Sequence, residues 1–145
     1  MGKYFSVSEL TKSATGERLG IDNTPTPAIE MNIKYLIDAV LDPLREVYGQ
    51  PIYVSSGYRC DALNKAVGGA KNSQHKTGLA ADIYVKGESN VVLYNLLKSG
   101  NIAFDQLILE QGTIRAPRWI HVSINRLHNR REILYYNGKT YTRIN

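Results

Sequence analysis

The chain has 145 residues, 43% of them hydrophobic and 21% charged, with a formal net charge of +5. That is the size and balance of one globular domain with one core, and it leaves no material for a second. One cysteine, Cys60, excludes an internal disulfide, no stretch is long enough to span a membrane, and Met1 to Phe5 lack the apolar core of a secretory signal.

Ser6-Val7-Ser8-Glu9 reads as a capping box opening a short helix. The segment that follows, through Pro25, reads as loop. Thr26-Pro27 then starts a helix with Thr as N-cap and Pro in the first turn. Ile29, Ile33, Leu36, Ile37, Val40, Leu44 and Val47 make one apolar stripe along it, Pro43 is placed to kink it, and Gly49 stops it. Ile52 to Ser55 is a short strand, Arg59 to Val67 a short helix ended by Gly68-Gly69, and Leu79 to Val85 a strand rich in apolar residues. Ser89 to Lys98 is a helix closed by Gly100. Phe104 to Glu110 and Trp119 to Ile124 are strands joined by a hairpin loop, Gln111 to Pro117. Ile133 to Tyr136 and Thr140 to Ile144 form a last hairpin about Asn137-Gly138. Helices first and strands later predict an α+β fold, a small antiparallel sheet with helices mainly on one side.

Three residues stand out chemically. His75 lies in a polar, glycine-containing loop just before a strand. Asp82 lies inside that strand between Ala81 and Ile83, where an isolated carboxylate is costly unless it is paired or binds a metal. His121 is the one imidazole in the apolar strand Trp119-Ile120-His121-Val122-Ser123. If these strands are antiparallel neighbours, Asp82 and His121 share a face and His75 reaches over from its loop. Two imidazoles and a carboxylate leave an open position, the pattern of a catalytic zinc site. Spacing alone also allows ordinary satisfied surface or core histidines and an acid paired with a lysine.

The wider pattern adds to this. Ser73-x-His75-x-x-Gly78-x-Ala80-x-Asp82, followed downstream by Trp119-x-His121, resembles the zinc D-alanyl-D-alanine carboxypeptidases and their relatives, the D-Ala-D-Ala dipeptidases and the L-alanyl-D-glutamate endopeptidases of phage endolysins. Ser56-Gly57-Tyr58-Arg59 matches a further segment, so the likeness runs from about residue 50 to about residue 124. The resemblance implies a hedgehog-type metallopeptidase fold, one Zn2+ on His75, Asp82 and His121, and Arg59 as the cation that binds substrate. Arg suits that task because its planar fork grips a carboxylate with two hydrogen bonds. Many members carry an acid three residues before the last His, but here that position is Arg118, which cannot serve as a base. Glu110 takes the role instead, by position: the related hedgehog domain has a similar Phe-Asp strand ending in Glu before its last His ligand. Asp105 falls on the other face from Glu110 by alternation and is read as capping or pairing. Ser73 and Gln74 bind the ligand or brace the loop, Trp119 lines the cleft or packs beside His121, and His128 is a surface residue.

The expectation is therefore a single zinc peptidase domain over residues 1–145 that hydrolyses peptidoglycan stem peptides, as carboxypeptidase or endopeptidase. The rival is a non-catalytic zinc module on the same scaffold that binds cell wall or protein. The basic charge suits a polyanion such as the wall; nucleic acid is disfavoured because it leaves the Ser73 to Asp82 pattern unexplained. A monomer without membrane contact is expected. So is a phage or prophage lysis enzyme, held in the cytoplasm until release.

Overall fold

A computed structural model describes residues 2–144. Helix α1 spans Val7–Thr11, and the Ser6 side chain accepts from the Glu9 amide as the capping box predicts. The stretch read as loop contains a second helix, α2 (Ala14–Leu19). Ser13 caps its first turn and Gly20 ends it in the left-handed region. Both signals stand in the sequence, but six residues are too few to show a period.

Helix α3 (Pro27–Leu36) starts on Thr26 as expected. It runs through a π-helical turn, Ile37–Leu41, into α4 (Asp42–Tyr48). Pro43 is the cause. It has no N–H to donate and its ring crowds the preceding turn, and one widened turn absorbs both. The stripe is buried from Ile33 to Leu44, whereas Val47 is exposed, because the widened turn rotates the last turn of α4 away from the core. Helix α5 covers Asp61–Ala66, a 3₁₀ turn Gln74–Thr77, and α6 Val91–Ser99.

Six strands, β1 (Tyr53–Ser56), β2 (Ala80–Tyr84), β3 (Gln106–Glu110), β4 (Trp119–Ser123), β5 (Glu132–Tyr136) and β6 (Tyr141–Arg143), form one open sheet in the order β1-β2-β4-β3-β5-β6. The class is α+β, as expected. The sheet is not wholly antiparallel: β5 runs parallel to β3, because the chain leaving β4 crosses over to the far side of β3 before it turns.

Paired residues share a face of the sheet. One face carries Ala81, Ile83, Leu107, Leu109, Ile120 and Val122. With α3, the π turn, α4, α6 and the fully buried Phe104 it forms the hydrophobic core. The opposite face carries Asp82, His121, Ile108 and Glu110. The core therefore fixes the sheet from one side and leaves the other free for chemistry. No helix among the described residues is long and apolar enough to cross a membrane.

Candidate metal centre and active site

Asp82 on β2 pairs directly with His121 on β4, and His121 pairs on its other side with Ile108 of β3. The period of two then puts Glu110, two residues past Ile108, on the same face as His121 and diagonal to it. His75 comes from the 3₁₀ turn. Ser73 caps that turn by accepting from the His75 amide, and Gly78 ends it with φ +80°. A side chain at Gly78 would also press on Ile29 and Ile33 of α3, so the position needs glycine for conformation and for space.

Ligand atoms of His75, Asp82 and His121 lie within 4.8 Å of one another. His75 Nε2 and His121 Nδ1 each stand 3.2 Å from the same oxygen, Asp82 Oδ1. The remaining nitrogens are engaged elsewhere. His75 Nδ1–H donates to the Gly57 carbonyl oxygen at 2.7 Å, and His121 Nε2–H donates to Gln74 Oε1 at a longer 3.4 Å. These bonds fix the neutral tautomers. Two imidazole lone pairs then converge on a buried carboxylate oxygen, and three electron-pair donors facing one another call for a cation between them. Two nitrogens and one oxygen from neutral imidazoles and a carboxylate are a donor set that Zn2+ accepts. The residues present fit the metal.

The surroundings support this. Burial acts to raise the Asp82 carboxyl, but without a cation the protons that His75 and His121 share with it hold the group well below the usual carboxylate range; a bound metal takes the place of those protons. Gln74 passes its hold on His121 outward by donating to Asp105 Oδ2 at 3.0 Å. Asp105 is buried and gripped by Arg130 through Nε and Nη2 at 3.0 and 2.8 Å. Arg130 holds its carboxyl below the ordinary value, even against burial. Gln74 thus orients an imidazole, and Asp105 is paired, behind it.

Arg59 is fixed from two sides, by Ser56 Oγ at 3.1 Å and Asn64 Oδ1 at 2.9 Å, and its Nη2 lies 4.0 Å from Asp82 Oδ2. Burial lowers this guanidinium from its ordinary value, against the pull of Asp82 and Glu110. Asn64 is itself buried and donates to the Ala70 carbonyl oxygen.

Glu110 lines the same cleft, about 480 Å³ in volume, as do Arg59, Gln74, Trp119, Tyr136 and Tyr141. The Trp119 indole N–H is buried and has no partner among the described residues. A second hollow, about 320 Å³, shares Arg59, Val67 and Asp82 with the cleft and is also lined by Lys12 and Thr15. A larger hollow, about 640 Å³, lies between α1, α2 and the loop to Pro25 and touches none of the three ligands. Arg118 and His128 are exposed.

Sequence reasoning missed Asn64, Tyr136 and Tyr141. Asn64 gave no signal beyond a polar residue in a short helix. The tyrosines flank the Asn137-Gly138 turn, which reveals that they pair but not that their face is the one with His121.

A family model described as Peptidase M15 matches residues 3–123. No curated protein matches the chain.

Proposed function

Because the chain belongs to the Peptidase M15 family, we propose that it hydrolyses amide bonds in peptidoglycan stem peptides, with zinc held by His75, Asp82 and His121. One observation carries this reading: two neutral imidazoles and a carboxylate converge on one point, in a cleft that also holds a carboxylate and a guanidinium. Zinc bound there supplies Lewis acidity, which polarises the scissile carbonyl and makes water acidic enough to attack. Glu110 accepts the proton that the attacking water loses. It returns that proton to the leaving amine, so one carboxylate serves both halves of the reaction. Arg59, held by Ser56 and Asn64, presents its remaining N–H donors to a substrate carbonyl or carboxylate oxygen. The net charge of +5 draws the enzyme to an anionic wall.

The hollow beside Arg59 supports cleavage inside a chain over removal of a terminal residue, since Arg59 and Asp82 line both it and the cleft. Mass spectrometry of purified wall fragments after digestion, with and without chelator, tests both parts. Cleavage that chelator stops, at an internal bond, is the expected result. Zinc-loaded protein that binds wall fragments and never cuts them is instead a binding module.

Gly69 offers a test of Arg59. A Cβ there would collide with Asn64 Oδ1 and crowd the guanidinium. Gly69→Ala is expected to raise KM about tenfold through the displaced charge-assisted contact, with zinc content unchanged. An unchanged KM removes Arg59 from substrate binding.

A further inference from the structure

The metal centre and Glu110 leave two tyrosines unexplained. Tyr136 and Tyr141 belong to the β5–β6 hairpin, which lies beyond the matched residues 3–123. Register places them in line with the site: Trp119 pairs with Glu110, Glu110 with Tyr136, and Tyr136 with Tyr141. These four residues form one row across β4, β3, β5 and β6 on the face that carries His121. The two rings tilt at 31° with centroids 4.5 Å apart, and Tyr141 is 59% exposed at the mouth of the cleft.

The hairpin is held firmly. Tyr136 is at the end of a strand paired with β3, the Asn137 side chain accepts from the Lys139 and Thr140 amides, and Glu132 ties Gln106 to Arg143. A fixed wall with an exposed aromatic face beside a catalytic carboxylate loses little entropy on binding. Tyr141 lines the same cleft as Glu110, Asp82 and His121, which places the ring within reach of the site.

Resting on the peptidase reading above, we propose that this hairpin is the specificity wall of the cleft, with Tyr141 binding the aliphatic side chain of the substrate residue that lies beyond Glu110. The tyrosine pair offers ring faces and no fixed charge, which suits an extended peptide carrying an aliphatic group there.

The test uses a soluble stem peptide and Trp119, the only tryptophan, as a fluorescent reporter in the cleft. Tyr141→Ala is expected to raise KM about tenfold, as loss of one aromatic contact does, with kcat within about threefold and bound zinc unchanged. In a Glu110→Gln background the same change should raise Kd by the same factor, and Tyr141→Phe should restore most of the loss. Peptides with glycine at successive positions then locate the contact: at one position the glycine penalty disappears in Tyr141→Ala. Cleavage with KM and Kd unchanged in Tyr141→Ala overturns the wall and leaves the peptidase reading standing. So does a large loss of kcat shared by Tyr141→Phe and Tyr141→Ala, which makes the hydroxyl the working group. Wild-type protein that neither binds nor cuts the peptide overturns both.

Discussion

Glu110→Gln is expected to lower kcat on a stem peptide by about 10²- to 10⁴-fold, the usual range for losing a positioned proton carrier, while zinc content and KM stay close to wild type. Gln keeps the shape and removes the basic oxygen. Fold and metal site should survive, because Glu110 is none of the three ligands and sits outside the core. Equal kcat in the two proteins would sink the assignment. A pH profile adds a second reading. Burial, then the neighbouring Asp82 carboxylate, push the Glu110 carboxyl up to about 7, against the opposing pull of His121 and Arg59. A base must be unprotonated to accept, so activity falls as pH drops through this pKa. A metal cation alongside draws the value down, so the acid limb belongs between the ordinary value of 4.5 and about 7. A carboxyl raised on folding contributes stability below its unfolded value and loses it as pH rises through the folded one. Above pH 7 the metal-free Glu110→Gln protein is therefore expected to melt at a higher temperature than the metal-free wild type. A working base held in an unfavourable place predicts that combination of lost activity and gained stability.

The parts of the site legible in the sequence were those where one residue type has few uses. An acid inside an apolar strand, an imidazole inside another, and Ser and Gly bracketing a histidine turn all carry a physical demand that the structure explains. Asp82 and His121 become neighbours because β2 and β4 pair, and Gly78 is needed because α3 packs behind it. What escaped depended on distant pairing. The parallel entry of β5 beside β3 is set by a crossover that no local pattern encodes, and it alone brings Tyr136 level with Glu110. Asn64 holds Arg59 through a loop that folds back at Gly69 and Ala70, which the sequence shows only as two glycines and an alanine. The π turn before Pro43 has a similar origin. The sequence warns of a break, and packing decides that it becomes one widened turn.

Removing zinc is expected to abolish hydrolysis without unfolding the chain, which separates this site from small metal-folded domains. The reason is the two-faced sheet. The core, with Phe104, Leu107, Leu109, Ile120 and Val122, lies on the face opposite Asp82 and His121 and includes none of the three ligands. Chelated protein should keep its far-ultraviolet circular dichroism. Its melting temperature should fall, because a ligand bound only by the folded state adds about 4 kcal/mol when present at a thousandfold excess over Kd. Asp82→Ala should copy this in one step: no bound zinc, no activity, and a melting temperature indifferent to added metal. It should also fall below chelated wild type, since two buried imidazoles and Arg59 lose the carboxylate they surround, and removing one partner from such a cluster costs about 3–5 kcal/mol. Collapse of the dichroism on chelation would mean that the metal holds β2 to β4, and that the helical face is not sufficient as a core. A zinc-dependent rise in the melting temperature of Asp82→Ala would mean that the cation binds elsewhere.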